Sequence, residues 1–436
     1  MRILNSLLTA VAVISFYLAD AQSLLPRINA SISSNAAYYK STYEHLHANP
    51  EISCQEINTA AFLKKQMASL GWEIIDSLGF QSFAAILRNG DGPTILYRTD
   101  MDALPLKEQT SLPFASKGSA MHACGHDVHM TSWLGTARTM TELRKQWSGT
   151  LVFLAQSAEE TGQGARMAVT TAAFKSLPRP NAQIALHNHA ELPAGQAGFC
   201  DGYSMAAVDM LNITVFGKGG HGAAPDKTID PIVLAAQYIQ ALQTIVSRTL
   251  PSTEKAVITV GAIQGGTVGN IIPDKVELRL TIRSFSSISR QLIFDRVRTL
   301  GDHLALAAGL DSSRLPRYDL LDMSIPSVYN DPALGTRLRN NLVSKLGEGS
   351  VATVDPVMIG EDFGVYGRET SIPSYLIWLG TVSSERKKAG EGRELPSLHS
   401  PHFAPDYEPT IAGAVRIMSL SLFDLLQPEK AKKSSK

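Results

Sequence analysis

The chain has 436 residues, with 40 acidic and 40 basic side chains and therefore no net charge when its histidines are neutral. Charged residues make up 18% and apolar residues 44% of the sequence, which is ordinary for a soluble globular protein. The balanced charge argues against nucleic acid or an anionic membrane as a partner. The length suffices for two or three domains, each with its own core.

The first residues predict an exported protein. A mostly apolar stretch over 3–18 follows the basic Arg2, and the small residues Ala19 and Ala21 come after it. This is the pattern of a signal peptide cleaved after Ala21, and the stretch is shorter than the ~20 residues that a membrane span needs. We therefore expect a periplasmic or secreted protein without a membrane in its mature form; the alternative is a buried N-terminal helix or a short anchor.

Three cysteines occur, Cys54, Cys124 and Cys200, which are too few for a disulfide scaffold. If Cys124 binds a metal, Cys54 and Cys200 remain. Their spacing leaves open whether they pair.

Helices and strands alternate along the first part of the chain. Apolar periodicity and flanking glycine or proline predict three helices, over 36–48, 56–70 and 128–144. The same signals predict four strands, over 83–87, 94–97, 151–155 and 184–186. This alternation predicts an α/β layer with a largely parallel sheet.

A different order follows over residues 205–323. There the pattern predicts strand, helix, strand, strand, helix and strand, over 209–216, 231–248, 256–263, 275–282, 288–308 and 317–323. This β-α-β-β-α-β order is typical of a small split-βαβ, ferredoxin-like α+β domain.

The α/β pattern then resumes with strands predicted over 354–359 and 375–379. We therefore expect that the small domain interrupts the large one. The predicted organisation begins with a signal peptide over 1–21. A large domain follows in two parts, over 22–204 and 324–429, with the small domain inserted over 205–323. A disordered tail over 430–436 ends the chain.

Polar residues of metal-binding types follow three of the predicted strands. They are Asp100 and Asp102 after 94–97, Glu159 and Glu160 after 151–155, and His187 and His189 after 184–186. In open α/β sheets, sites form outside the carboxyl ends of the strands. The shared position therefore favours one common site.

The segment 121–129 adds further ligand types. Cys124 and His126 supply a thiol and an imidazole, and Asp127 follows them with a carboxylate. Thiolate and imidazole suit zinc and related transition metals, while carboxylates broaden the choice. Late in the chain, His399 and His402 supply two more imidazoles. Each cluster alone also fits a solvated loop, and their joint occurrence favours a metal site.

Adjacent carboxylates at Glu159 and Glu160 point in different directions. One can therefore bind a metal while the other faces the substrate as a general acid/base. The alternative is a charged loop tip, but apolar residues over 153–154 and 165–168 favour a site at the edge of a core.

The small domain carries two glycine-rich turns. The first, over 217–222, contains His221 and lacks the complete phosphate-loop pattern. The second, over 265–274, contains Asn270 as a donor. Arg283, near the end of a predicted strand, could bind a carboxylate in bidentate fashion or be a surface residue.

The sequence resembles the metal-dependent aminoacylase and carboxypeptidase superfamily. Within it, the nearest branch is the amidohydrolases that include hippurate hydrolases, N-acyl-amino-acid hydrolases and auxin-conjugate hydrolases. The matching segments run in family order, over 98–105, 122–129, 159–165, 217–225, 265–274, 360–363 and 399–401. The resemblance implies a zinc-peptidase-like α/β/α catalytic domain, interrupted by a lid or dimerisation domain.

The resemblance also implies roles for individual residues. Two divalent metal ions (Zn, Mn or Co) would be held by five ligands, Cys124, His126, Glu160, His187 and His399. Glu159 would be the general acid/base, and His221 would reach the partner's active site across a homodimer to stabilise the oxyanion. Asp100, Asp102 and Asp127 would support the ligands. Asn270 and Arg283 would contact the substrate.

The sequence thus predicts an exported metal-dependent amidohydrolase that cleaves the amide bond of an N-acetyl or N-aroyl amino acid. One alternative is a dipeptidase or carboxypeptidase acting on short peptides. Another is a metal-binding or substrate-binding protein without turnover.

Overall fold

The computed structural model describes residues 24–322, 324–389 and 395–427. Its strands are β1 (Glu73–Ile75), β2 (Phe83–Asn89), β3 (Thr94–Asp100), β4 (Gly149–Gln156), β5 (Ala182–Pro193), β6 (Ala197–Phe199), β7 (Gly202–Met205), β8 (Ala207–Phe216), β9 (Gly220–His221), β10 (Ala256–Gln264), β11 (Ile271–Ile272), β12 (Lys275–Ser284), β13 (Arg317–Leu320), β14 (Val328–Asn330), β15 (Val351–Thr353) and β16 (Ser374–Val382). Its α-helices span Leu24–Ser34, Ala36–Ala48, Ile57–Ser69, His126–Glu142, Gly164–Thr170, Ala172–Ser176, Pro231–Thr244, Ser287–Ala307, Pro332–Leu346, Gly364–Thr370, Ser384–Ala389 and Tyr407–Leu425.

Eight strands form the large sheet, in the order β1-β2-β4-β3-β5-β16-β6-β15. The central neighbours β4, β3, β5 and β16 run parallel, whereas β1, β2 and the β16–β6 pair add antiparallel contacts. The parallel centre matches the prediction. The antiparallel strands at the edge of the sheet were not predicted.

Apolar residues cover both faces of this sheet. Alternate side chains of a strand point to opposite faces, so Leu151 and Phe153 of β4 join one hydrophobic cluster while Val152 and Leu154 join another. The helices His126–Glu142 and Tyr407–Leu425 pack within the first cluster. The α/β/α fold class is therefore confirmed.

A second sheet has the order β10-β12-β8-β13, with every neighbour antiparallel. Along the chain these strands alternate with the helices Pro231–Thr244 and Ser287–Ala307 in the predicted β-α-β-β-α-β order. Apolar residues of both helices share one cluster with the sheet, among them Leu234, Tyr238 and Val297. This unit is called the small domain below.

One predicted strand is wrong. Residues 354–359 follow β15 without forming a strand, and Val357 instead donates one backbone hydrogen bond to Ser204 at 3.0 Å. Pro356 lies in this stretch and lacks the N–H that a ladder requires.

The structure bears unevenly on the predictions about the chain as a whole. The domain boundaries at 204/205 and 323/324 stay predictions, and the predicted signal peptide over 1–21 and tail over 430–436 lie outside the described residues. Cys54 and Cys200 are free thiols in the structure. Within the described ranges, no helix is both long and apolar enough to cross a bilayer.

Candidate metal centre and active site

The predicted ligands meet where the central parallel strands end. β3 ends at Asp100, and β4 is followed within four residues by Glu159 and Glu160. His187 lies inside the longer β5 rather than after it. The carboxyl ends of these neighbouring strands bring the three clusters together, as the sequence predicted from their shared position.

Cys124 and His126 are placed by the turn that starts the helix His126–Glu142. Gly125 has φ 78°, and a Cβ atom there would overlap Nδ2 of Asn188. Asn188 in turn donates to the carbonyl of Gly125 at 2.9 Å. Only glycine suits this position, because it permits both the left-handed backbone and the close approach.

The five predicted ligands form two groups of donor atoms. In each group the donors lie within 4.8 Å of one another, the first being Cys124, His126 and His187 and the second Cys124, Glu160 and His399. Sγ of Cys124 lies 3.5 Å from Nε2 of His187, and Nε2 of His399 lies 3.4 Å from Oε2 of Glu160. Cys124 therefore stands between the two groups.

The chemistry of these donors fits a divalent metal. Nε2 of His126 and Oε1 of Glu160 are buried polar atoms without a hydrogen-bond partner among the described residues. Such atoms are costly to bury, and a cation would satisfy them. A set of thiol, imidazole and carboxylate donors suits zinc and neighbouring transition metals.

Burial favours the neutral forms of two candidate ligands, Cys124 and His187. Burial, together with the charge of Glu160, raises the pKa of the Cys124 thiol. Burial, with His129 close by, holds the pKa of His187 well below its usual range, so that ring is neutral and free to bind. Because a thiolate is the binding form of cysteine, metal binding here would release a proton.

Asp102 contacts two of the candidate ligands, and Asp100 contacts the neighbouring His129. Nδ1–H of His126 donates to the carbonyl of Asp102 at 2.7 Å, which leaves Nε2 facing the site. The carboxylate of Asp102 accepts from the Ser53 hydroxyl at 2.6 Å and from Glu160 N–H at 2.9 Å. Asp100 accepts from Nδ1 of His129 at 2.7 Å.

Asp127 has other partners. Its Oδ2 lies 2.7 Å from Nδ1 of His47, whose Nε2 lies 3.1 Å from Glu108. Although burial opposes the charge, these two carboxylates raise the pKa of His47 to about 10. Asp127 thus belongs to a buried ion triad, and within the described part its carboxylate forms no hydrogen bond or ion pair with a candidate ligand.

Glu159 lies beside the ligands. Its Oε2 is 3.8 Å from Nε2 of His126, and its side chain is 7% exposed. Burial and the negative charges of Glu361 and Glu160 hold its pKa well above the usual range. A carboxylate with a raised pKa can accept a proton and keep it long enough to transfer it.

A buried arginine network beneath Glu159 escaped the sequence analysis. Arg98 donates to Asp100 at 2.6 Å, to Glu361 at 3.0 Å and to Asp362 at 2.9 Å. One signal in the sequence could have revealed this network: Arg98 ends an apolar run that predicts a buried strand. A buried arginine needs carboxylate partners. The segment 360–363 had been noted for its resemblance alone.

The structure does not bring the predicted residues of the small domain into the ligand cluster. His221 on β9 is exposed and pairs with Ile271 of β11, next to the exposed Asn270. Arg283 on β12 is half-buried, with its Nη1 against Gly360, the residue before the Glu361–Asp362 pair. The roles of these residues stay predictions.

Comparison with known proteins points to one family. Residues 96–417 match the profile described as Peptidase family M20/M25/M40. The N-acetylcysteine deacetylase of Bacillus subtilis (strain 168) is 38% identical over 346 residues, 78% of this chain and 87% of that protein. The N-acetyldiaminopimelate deacetylase of Leuconostoc citreum (strain KM20) is 34% identical over 391 residues, 88% of this chain and 96% of that protein.

A solved structure is also similar. It is the YxeP protein of Bacillus subtilis, described as a dinuclear metal-binding peptidase from the M20 family. It superposes with a TM-score of 0.76 at 30% identity, covering 90% of this chain and 99% of that one. The predicted superfamily is thereby confirmed.

The prediction of a periplasmic or secreted protein, with a signal peptide cleaved after Ala21, is wrong on this comparison. The chain matches deacetylases of N-acetylcysteine and N-acetyldiaminopimelate, and neither match supports export. An apolar run before two small residues is a pattern of sequence alone. Residues 1–23, which contain it, lie outside the described ranges.

Proposed function

The chain belongs to peptidase family M20/M25/M40, and on that premise we propose that this metal-dependent amidohydrolase cleaves the amide bond of N-acyl amino acids. The observation that carries the proposal is the position of Glu159, buried beside two groups of metal-type donors. The deacetylase relatives support an N-acetyl group as the acyl part.

Two divalent ions would be held by the two donor groups, both of which include Cys124. Zinc, manganese and cobalt all accept these donors. When bound, such ions polarise an amide carbonyl and make water a better nucleophile at neutral pH. The dinuclear description of the Bacillus subtilis structure is consistent with this arrangement.

The protein's own residues would supply the proton transfers and the orientation. Glu159 takes a proton from the attacking water and delivers it to the leaving amine. Arg283 carries a half-buried guanidinium that could bind the carboxylate of the amino acid, with Asn270 as a second contact. Asp102 holds His126 and Glu160 in place.

Replacing Glu159 by Gln tests this assignment. We expect kcat to fall about 10²- to 10⁴-fold, because the general acid/base is lost, while metal content stays near two ions per chain. Metal analysis and steady-state kinetics on N-acetyl amino acids measure both. Glu191→Gln, an exposed glutamate on β5, is the control and should behave as the wild type. An active Glu159→Gln enzyme would contradict the mechanism.

Substrate panels separate the remaining alternatives. N-acetyl, N-benzoyl and dipeptide substrates with the same amino acid distinguish an acylase from a dipeptidase. The peptidase description of the Bacillus subtilis structure is the observation that favours peptides. The alternative of a binding protein without turnover is wrong, since the relatives are enzymes.

We also propose a homodimer formed through the small domain. β10 is an edge strand of the second sheet, and Val257 and Ile263 on it are 38% and 52% exposed. A second copy that covers this edge would satisfy its backbone and its apolar side chains. His221, exposed on its own subunit, would then be available to the partner's site.

Mixing two inactive variants tests this dimer. A mixture of Glu159→Gln and His221→Ala chains should regain activity, because some dimers combine an intact Glu159 site with an intact His221 from the other chain. Ile263→Lys should give a monomer in sedimentation experiments. A wild-type monomer at all concentrations, with no activity regained on mixing, would refute the proposal.

A further inference from the structure

The loop that carries Glu159 begins with a residue in an unusual backbone conformation. Ala158 has φ 58°, in the left-handed region that residues other than glycine seldom occupy. Such a conformation is unfavourable and persists only where the surrounding structure enforces it. Since Ala158 directly precedes Glu159, whatever enforces it also sets the direction of the Glu159 side chain.

This turn is held from two sides. Gln163 N–H and Gly164 N–H donate to the carbonyl of Ala158 at 3.2 and 3.1 Å. Glu56 contacts the opposite side. Its Oε1 accepts a hydrogen bond from Ala158 N–H at 2.8 Å, and its Oε2 accepts one from the Ser157 hydroxyl. The Glu56 side chain is fully buried, and no basic side chain pairs with it in the described part of the chain. Burying a carboxylate without a cation is costly, so its two contacts with the loop are its evident role.

The residues around Ala158 are held from other directions. Ser157 N–H donates to the Ser82 hydroxyl at 3.0 Å, and Glu160 N–H donates to Asp102 at 2.9 Å. A Cβ atom on Gly164 would overlap the carbonyl of Ser157, so the chain closes tightly behind the turn. Of these contacts, only that of Glu56 reaches the N–H of the left-handed residue itself.

We propose that Glu56 is a positioning residue for the general base: it holds Ala158 in the left-handed conformation and thereby directs Glu159 into the site. This inference rests on the proposed function, in which Glu159 is the general acid/base. Glu56 acts through Ala158 and is assigned no contact with the substrate.

Two substitutions of Glu56 separate its acceptor atoms from its volume. Glu56→Met keeps the length but removes the acceptors, and Glu56→Gln keeps one carbonyl oxygen for Ala158 N–H. We expect Glu56→Met to lower kcat about 10- to 100-fold, since a displacement of ~1 Å in a catalytic group can cost that much. KM and metal content should not change, and Glu56→Gln should retain most of the activity.

A second substitution at the turn tests the backbone directly. Glycine adopts positive φ about as readily as negative φ. Adding Ala158→Gly to Glu56→Met should therefore recover part of the lost kcat. If the glycine recovers nothing, the proposed route through the backbone of Ala158 is wrong.

Glu51 supplies the matched control. It lies in the same segment, and its carboxylate accepts from Asn58 and Thr59 N–H at the start of the helix Ile57–Ser69. Glu51→Ala should lower the melting temperature through the lost cap and leave kcat unchanged. Equal losses of kcat in Glu51→Ala and Glu56→Met would mean that Glu56 only stabilises the fold.

Other results would overturn the proposal outright. A Glu56→Met enzyme with full kcat would do so, as would a loss of kcat that follows a loss of metal. If Glu56→Met does not fold, Glu56→Asp, which is one methylene too short to reach Ala158, gives the same test. A crystal structure of the variant with Ala158 and Glu159 unmoved would refute the positioning role even without kinetics. A wild-type enzyme inactive on every N-acyl amino acid would instead refute the proposed function.

Discussion

Arg98 shows how a single buried side chain can hold a site together. Its guanidinium is fully buried and lies between Asp100 on one side and Glu361 and Asp362 on the other. Removing one partner of a buried charge cluster leaves the others unpaired, which typically costs 3–5 kcal/mol. Arg98 therefore holds the carboxylates of Glu361 and Asp362, which lie beside Glu159.

Replacing Arg98 by Met should lower the free energy of unfolding by about 3 kcal/mol or more, measured by urea denaturation. Arg88→Met is the control, because Arg88 forms an exposed pair with Glu73, and it should cost less than about 1 kcal/mol. A small effect at Arg98, equal to that at Arg88, would show that the buried carboxylates are neutral.

The His47 triad predicts a stability that depends on pH. In the folded protein the pKa of His47 is raised to about 10, above the value of about 6.5 in an unfolded chain. Its contribution is therefore complete below pH 6.5 and is lost as the pH rises through 10. The difference in unfolding free energy between wild type and His47→Gln should be largest near pH 6 and shrink as the pH rises towards 10. His45→Gln, at an exposed position of the same helix and outside the triad, is the matched control.

Several of the candidate site residues could be found in the sequence, whereas the ion pairs around them could not. Cys124 and His126 are two residues apart, and Glu159 and Glu160 are adjacent, so residue type and spacing reveal them. Arg98 and Glu361 are separated by 263 positions, and no local pattern links them. Long-range ion pairs are set by the fold and become visible only with it.

At the scale of elements, one glycine shows how packing overrides propensity. Gly135 lies within the helix His126–Glu142, where alanine would ordinarily be favoured by about 1 kcal/mol. A Cβ atom there would lie 2.6 Å from Cγ2 of Val415 and 3.0 Å from the ring of Tyr39. The glycine thus lets two neighbouring helices approach the one that carries His126.

Gly135→Ala should therefore destabilise the protein, by about 1–3 kcal/mol as expected for an overpacked core. Urea denaturation measures this, and metal affinity should fall as His126 shifts with its helix. Gly118→Ala is the control, since a Cβ atom there has its nearest neighbour at 3.9 Å. Greater stability in Gly135→Ala would mean that the helices can move apart.

Elements with clear periodicity were predicted well. The helix Ala36–Ala48 agrees with its prediction at both ends, and β12 begins at the predicted Lys275. The strand predicted over 354–359 failed because an apolar run resembles a strand even where a proline prevents pairing. The sheet order also lay beyond the sequence, because β16 enters the sheet next to β5 from far along the chain.

At the scale of the whole molecule, bound metal should stabilise the fold. Ions that bind the native state alone add RT ln(1 + [L]/Kd), about 2.7 kcal/mol at 100 times Kd. Removing the metal with a chelator should lower the melting temperature of the wild type, and adding zinc should restore it. His399→Ala should show a smaller shift, since it removes one proposed ligand of the second group. Equal melting temperatures with and without metal would contradict a metal centre in the core.

The position of β16 has a consequence for how the protein is made. This strand pairs with β5 and β6, yet it is synthesised only after all four strands of the second sheet, the last of which ends at Leu320. During translation, the small domain can fold from consecutive residues while the large sheet still lacks an inner strand. We expect the catalytic half to be the last to acquire its native form, so a chain truncated before Ser374 would display a folded small domain beside an open, aggregation-prone sheet.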